Sequence, residues 1–352
     1  MDRPSSHSDQ NWSQRFADIV RDVGADPKQL SGKLACQMMD TAVKLLGDGA
    51  DEGELKLTSR SLRELRYALK VFRQYRHQRK ISIFGSARTS EGHGDYETAL
   101  ALSRKMAQFG WMVITGAGGG IMRAGHGGAG RQASFGVAIR LPFETTANEF
   151  IEGDRKLIVF RYFFTRKLMF VSQAHAVALF PGGFGTQDEG FETLVLIQTG
   201  KAPLVPVVMV DAPGGTYWSN WDRFVREDLL KRGLIDRNDL NLYCITDDVD
   251  RATKEILQFY RNYHSQRFVG EDLVIRMQRP LVQAQINALN DRFSDLVADG
   301  KIQQCGALKA ERQYPDMPRL RFVFTRRDYG RLRQLVNQIN AFDSLNEKGA
   351  VA

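Results

Sequence analysis

The chain reads as an α/β protein, a parallel sheet with helices on both faces, flanked by a helical N-terminal extension and an α+β C-terminal extension. Two observations predict the sheet. From residue 80 to 262, short apolar runs alternate with segments of helical length, the pattern of strands buried on both faces and joined by crossover helices. Several of those runs break into glycine-rich turns. A hydrophobic content of 43% over 352 residues supports a real core.

Residues 11–78 are predicted helical, at about 12–23, 28–46 and 54–77, with Gly47-Asp48-Gly49 and Asp51-Glu52-Gly53 as the break before the third helix. ISIF (81–84) is the first strand, followed by a glycine-containing loop and a helix near 95–109. WMVIT (111–115), FGVAIR (135–140), AHAVALF (174–180) and LVPVVMV (204–210) are further strands, with LYCIT (242–246) as a possible last one. Helices are expected near 162–173, 187–199, 217–232 and 248–262. Beyond Tyr263 the pattern gives a helix near 280–298, the strand RLRFVFT (319–325) and a helix at 327–340. Three parts follow: 1–79 as a helical extension, 80–262 as the α/β domain and 263–352 as a smaller α+β segment.

Several classes are disfavoured. MDRPSSHSDQ has no apolar h-region, and no apolar run approaches the roughly 20 residues of a membrane helix; a cytoplasmic location and no membrane partner are expected. Cys36, Cys244 and Cys305 are far apart, with no CxxC, HExxH or Cys/His cluster, so no disulfide framework and no metal are expected. The formal charge is +8, and between Lys56 and Lys80 nine Lys/Arg face one Glu. A nucleic-acid patch is the sharper interpretation, but Leu62, Leu65, Leu69, Phe72 and Tyr75 form an apolar stripe that favours an amphipathic helix with its basic face in water. No nucleic-acid partner is expected. Arg319, Arg321, Arg326 and Arg327 read mainly as solvated surface, with an anion site as the alternative.

Three loops follow predicted strand ends, where α/β sheets bind ligands. They are Gly85-Ser86-Ala87-Arg88, Thr115-Gly116-Ala117-Gly118-Gly119-Gly120-Ile121-Met122, and Pro181-Gly182-Gly183-Phe184-Gly185-Thr186. A glycine turn opening a helix presents free N–H groups to an anion. GAGGGI lacks the third glycine of a dinucleotide fingerprint, and no GxxxxGK[ST] occurs. Gly125-His126-Gly127-Gly128-Ala129-Gly130 matches GxGxxG but falls inside a helix, where glycines serve close packing. Glu189 is a carboxylate beside the third loop. Thr186-Gln187-Asp188-Glu189 also has the spacing of a capping box, and spacing by itself favours that structural role. Arg166-Lys167 lies in apolar FRYFFTRKLMF, so the pair either snorkels or points into a polar cleft. His126 and His175 read as packing histidines. Glu144 and Asn148 follow a strand end and are weaker cleft candidates.

Arg166-Lys167, the PGGxGTxxE motif from Pro181 to Glu189, and the TGxGxGIM-type loop from Thr115 to Met122 together resemble the LOG family of phosphoribohydrolases, once widely mislabelled lysine decarboxylases. The resemblance covers roughly 80–262, and the length fits the longer bacterial members. It implies a Rossmann-like fold, a homodimer or larger oligomer, no cofactor, and hydrolysis of the N-glycosidic bond of a nucleoside 5′-monophosphate. It implies Arg166 and Glu189 as the catalytic pair. The implied substrate-binding set is Ser86, Gly116, Gly118, Gly119, Gly120, Met122, Lys167, Gly182, Gly183, Gly185 and Thr186. Ala117, where many relatives carry glycine, and Arg123 depart from the pattern and put base preference in question. Alternatives are a phosphoribohydrolase for N6-substituted (cytokinin) nucleotides, a non-hydrolytic nucleotide or cofactor carrier, and a DNA-processing protein using the 56–80 stretch.

Overall fold

A computed structural model describes residues 7–141 and 147–349. The chain divides into two compact units, Met1–Arg66 and Tyr67–Ala352. In the first, α1 (His7–Asp22) packs on α2 (Leu30–Gly47). The helix α3 (Glu52–Arg73) begins with a reciprocal cap: Asp51 N–H donates to a Glu54 carboxylate oxygen and Glu54 N–H to Asp51 Oδ1, each at 2.9 Å. The predicted break at Asp51-Glu52-Gly53 is therefore the start of the helix.

The apolar stripe of α3 differs from expectation. Ala68, Val71 and Phe72 are buried, whereas Leu62 and Leu69 are exposed. Phe72 decides the face, because its ring stacks on Phe135 at 4.5 Å. Two cations of the basic stretch are also not in open water. Lys80 is buried, with Nζ donating to Tyr75 O and Gln78 O, and Arg79 lies 3.8 Å from the Tyr260 ring centre.

The second unit carries a seven-stranded sheet. In chain order it runs β1 (Lys80–Phe84), α4 (Gly94–Gln108), β2 (Met112–Thr115), α5 (Ile121–Ala129), β3 (Ser134–Ile139) and β4 (Leu157–Phe160). It continues with α6 (Phe163–Gln173), β5 (Ala176–Leu179), α7 (Phe184–Gln198), β6 (Val207–Val210), α8 (Tyr217–Phe224), β7 (Cys244–Thr246) and α9 (Val249–Phe259). The strand order is β4-β3-β2-β1-β5-β6-β7, with every pair parallel. The fold is thus the Rossmann-like α/β class. β4, made by LIVF, was not anticipated from the sequence; it is a four-residue strand on the sheet edge. α8 stops at Phe224 and passes into a wider π-type turn over Val225–Leu230.

The chain moves outward from β1 to β4, then returns to place β5 on the other side of β1. That reversal is a topological switch point, and the loops after β1 and β5 diverge there to leave a crevice.

From Tyr263 the chain forms β8 (Tyr263–Val269), β9 (Asp272–Met277), α10 (Gln283–Phe293), β10 (Val297–Cys305), β11 (Arg319–Phe324) and α11 (Tyr329–Gly349). The strands make an antiparallel sheet of order β10-β11-β9-β8. The sequence had suggested a single strand and a helix reaching 298. The β8–β9 hairpin escaped notice because polar residues interrupt YHSQRFV; its two-residue turn uses Gly270 at φ +63°. Arg319, read as surface or an anion site, is fully buried: its Nε donates to Glu311 Oε2 at 2.7 Å, while Arg276 Nε donates to Glu311 Oε1 at 3.1 Å. An internal carboxylate occupies the place an external anion would need.

Gly125 to Ala129 lie in α5, with Gly130 as its C-cap, and the glycines at 125 and 128 serve packing. A methyl group on Gly125 would stand 3.0 Å from Thr115 Cγ2 on the sheet, and one on Gly128 would overlap Ser103 Oγ and the Leu100 carbonyl of α4. Among the described residues, no helix is long and apolar enough to cross a membrane. Gly128→Ala is expected to force α4 and α5 apart and destabilise the fold by about 1–3 kcal/mol, as overpacked cores do. Urea unfolding of the variant measures it, and an unchanged midpoint would contradict that packing.

Candidate functional site

At the switch point, Ser86 holds three loops together. Its N–H donates to Pro181 O at 3.1 Å, and its carbonyl accepts from Ile121 N–H at 3.0 Å. The backbones approach so closely that a methyl on Gly120 would collide with Ser86 O, and one on Gly182 with Thr186 Oγ1. Gly120 also sits at φ +59°, where glycine is favoured.

The loop after β2 is set by a ring of hydrogen bonds. Ala117 N–H donates to Thr115 Oγ1 at 3.0 Å, which lies 3.0 Å from His126 Nε2. His126 Nδ1 meets Asn148 Oδ1 at 3.1 Å, and Asn148 Nδ2 donates to Ala117 O at 3.1 Å and Gly118 O at 3.0 Å. Burial lowers the His126 pKa, against its bonds to Phe135 O and Asn148. With Asn148 Nδ2 committed to two carbonyls, Asn148 Oδ1 must accept. On the other side of the ring, Nε2 faces the Phe135 carbonyl oxygen at 3.0 Å as well as Thr115 Oγ1. The ring closes around Ala117, which is held at φ +66°. Left-handed backbone favours glycine, which gives the departure at Ala117 a backbone meaning. Asn148 is thus a loop-positioning residue and does not line the cleft. Glu144 lies outside the described residues.

The loops enclose a cleft of about 800 Å³. Ser86, Gly116, Met122, Arg166, Gly182, Gly183, Gly185, Thr186 and Glu189 all line it. Gly118, Gly119, Gly120 and Lys167 are not among its lining residues. Of these, Gly120 serves the loop crossing. Lys167 turns away to pair with Asp188 at 2.8 Å and Glu192 at 2.7 Å. Burial acts to lower its pKa, but those two carboxylates outweigh it and hold the ammonium above its ordinary value. Adjacent residues on a helix point about 100° apart, so only one of the Arg166-Lys167 pair can face the cleft. Arg166 does, packed against the Phe163 and Phe170 rings at 5.5 and 5.3 Å.

Glu189 does not form the capping box its spacing suggested. α7 starts earlier than expected, with Gly183 as its N-cap and no side-chain cap. Thr186 and Glu189 are therefore inside the helix, on a buried face with Gly190, Thr193 and Ile197. The spacing that resembled a cap is the i, i+3 step of an inward stripe. Glu189 is only 4% exposed, and its Oε2 has no hydrogen-bond partner among the described residues. Desolvation raises its pKa to about 7, against the attraction of Arg166 and Lys167. The first turn of α7 leaves N–H groups such as those of Phe184 and Gly185 without intrahelical partners, directed where an anion is favoured.

Sequence reasoning missed other lining residues. Tyr217 OH donates to Gly182 O at 2.5 Å and accepts from Gln187 Nε2 at 2.6 Å, pinning the glycine loop from α8. No motif marks Tyr217. Arg88 stood in the first loop singled out, but had no chemistry assigned. Arg123 pairs with Glu91 and Glu149 at 2.8 and 2.6 Å, tying together the segments that follow β1 and β3. No cluster of His, Cys, Asp and Glu among the described residues is arranged to hold a metal.

Fold and cleft define an α/β protein with an anion-receptive pocket at its switch point. Residues 119–256 match the family described as "Possible lysine decarboxylase", which is the LOG family that the motifs resemble. No curated protein matches the chain. Among solved structures, the molybdenum cofactor carrier protein of Chlamydomonas reinhardtii is similar at 20% identity, over 51% of this chain and 97% of that one, with a TM-score of 0.35. The molybdenum cofactor binding protein of Rippkaea orientalis gives 20% identity, 51% and 96% coverage and 0.35. DNA processing protein A of Helicobacter pylori gives 12%, 51%, 80% and 0.35. Likenesses this remote carry no information about ligands.

A carboxyl with a folded pKa near 7 against an ordinary 4.5 is protonated more readily in the folded state. Its ionisation therefore costs stability as pH rises from about 4.5 to about 7, and the cost is absent below that window. Glu189→Gln should match wild type in stability near pH 4. Above pH 7 it should exceed wild type by up to about 3 kcal/mol, from 1.36 kcal/mol per pKa unit. Denaturation midpoints of both proteins from pH 4 to 8 test this; a constant difference would refute it.

Proposed function

We propose that the protein hydrolyses the N-glycosidic bond of an AMP-like nucleoside 5′-monophosphate to free base and ribose 5-phosphate. The observation that carries this is Glu189: a buried carboxyl with an unpartnered Oε2, in a cleft shared with Arg166 and the α7 N-terminus. In this reading, the 5′-phosphate rests on the N–H groups at the start of α7, near Thr186. The ribose then extends toward Glu189. With its pKa near 7, Glu189 is suited to take a proton from water attacking C1′. The C1′–N bond breaks as the C1′–O bond forms, and the base nitrogen gains a proton.

Glycoside hydrolysis commonly uses two carboxyl groups. Asp188 also lines the cleft, but it is paired with Lys167. A purine can leave after protonation on its ring, so Glu189 with the nearby Arg166 guanidinium suffices here. Phe163 lines the cleft and is half-exposed, which gives the base a ring to stack on.

The proposal includes self-association with a second copy. Phe163, Phe164 and Leu168 of α6, and Phe184, Phe191 and Val195 of α7, are exposed apolar side chains, with Phe184 96% exposed. Light scattering on the purified protein should give a dimer or larger; a monomer at micromolar concentration would reject this.

Released base is to be assayed on AMP, GMP, IMP, CMP, UMP and isopentenyladenosine monophosphate. AMP turnover is expected, and preference for the isopentenyl nucleotide would instead indicate the cytokinin-type reaction. Glu189→Gln should lose base release by at least a hundredfold while retaining AMP binding, the scale of a lost general base. Wild-type turnover in this variant would sink the assignment, and no base from any nucleotide would leave a binding protein.

A further inference from the structure

We propose that Arg88 is the residue that selects phosphorylated over unphosphorylated nucleosides, by pairing with the 5′-phosphate at the mouth of the cleft. This rests on the nucleotide reading above and deepens it.

Arg88 follows β1 in the loop that holds the site together. Its N–H donates to Ser86 Oγ at 3.0 Å, closing a turn on the residue that bonds to Pro181 and Ile121. Its backbone is therefore tied, through Ser86, to the loop that opens α7. A methyl on Gly182 would stand 3.0 Å from Ser86 N, so the two backbones are nearly in contact. Arg88 is exposed and lines the cleft.

The charges around the cleft set Arg88 apart. Its lining holds the cations Arg88 and Arg166 and the acids Asp188 and Glu189. Arg166 acts on Glu189, whose pKa it lowers against desolvation. Lys167, just outside the lining, is taken by Asp188 and Glu192. The guanidinium of Arg88 makes no hydrogen bond, ion pair or ring contact with any described residue. A phosphate dianion at the start of α7 meets only the partial positive charge of a helix end. A guanidinium on the neighbouring loop supplies full charge and a bidentate fork suited to phosphate oxygens.

The division of labour follows. Arg166 serves the carboxylate and the reacting end. Arg88 serves the anionic end, where its contribution disappears when the phosphate is removed from the substrate.

The experiment compares wild type with Arg88→Ala and Arg88→Lys. Ribose 5-phosphate binding is measured by calorimetry, and KM and kcat are measured for AMP. Arg88→Ala should weaken ribose 5-phosphate binding and raise KM for AMP roughly ten- to a hundredfold, the scale of a charged hydrogen bond. The loss should fall mainly on KM, and discrimination of AMP over adenosine should drop by the same factor. Arg88→Lys should recover part of it, as a charge without the fork. Unchanged ribose 5-phosphate affinity in Arg88→Ala, or no ribose 5-phosphate binding by wild type, would overturn the proposal. If wild type binds ribose 5-phosphate, and Arg88→Ala does so weakly, yet no nucleotide is cleaved, Arg88 keeps its role and the hydrolase reading fails alone.

Discussion

Ser86 donates its backbone N–H to Pro181 and accepts at its carbonyl from Ile121, so one residue ties the ends of three strands. Those bonds form only because Gly120 and Gly182 lack side chains where the loops cross. The sheet order supplies the meeting point, since the chain reverses direction across the sheet between β1 and β5. The cleft is the space that this crossing leaves. Part of its wall is backbone and the N-terminus of α7, whose N–H vectors are set before any ligand arrives, and this limits the reorganisation that binding requires.

Two polar groups are retained in this region at opposite energetic standing. His126 is buried but satisfied: Thr115, Asn148 and the carbonyls of Ala117 and Gly118 complete its circuit. It stabilises an alanine held in left-handed backbone. Glu189 is buried with one oxygen unsatisfied, which a purely structural carboxyl would avoid. An unfavourable environment that shifts a pKa toward neutrality is common where proton transfer occurs. The C-terminal sheet provides a control within the same chain. There Glu311 is equally buried but is held by Arg276 and Arg319, and its pKa is lowered despite burial.

Much of the α/β core was legible. ISIF, WMVIT, FGVAIR and AHAVALF are short and apolar, three of them run into glycine-containing turns, and each contains a strand. β4 and the β8–β9 hairpin were not, because a four-residue edge strand and a polar-interrupted hairpin lack a clean period. The capping-box expectation at Thr186–Glu189 failed for a related reason. An i, i+3 spacing belongs both to a cap and to a helix face, and only the true helix start at Gly183 separates them. Arg166-Lys167 showed the same ambiguity, as spacing says that adjacent residues diverge but not which one meets the cleft.

By itself, the sequence determined the strand–glycine–helix units and the residue types able to bind an anion and carry a proton, because these depend on local backbone freedom and side-chain chemistry. The tertiary structure decided which loops share the switch point, since strand order depends on long-range pairing. It also decided that Glu189 is dry and raised in pKa, that Lys167 is spent on Asp188 and Glu192, and that Arg88 and Tyr217 border the cleft. Desolvation and charge pairing arise from neighbours distant in sequence, and no local spacing encodes them.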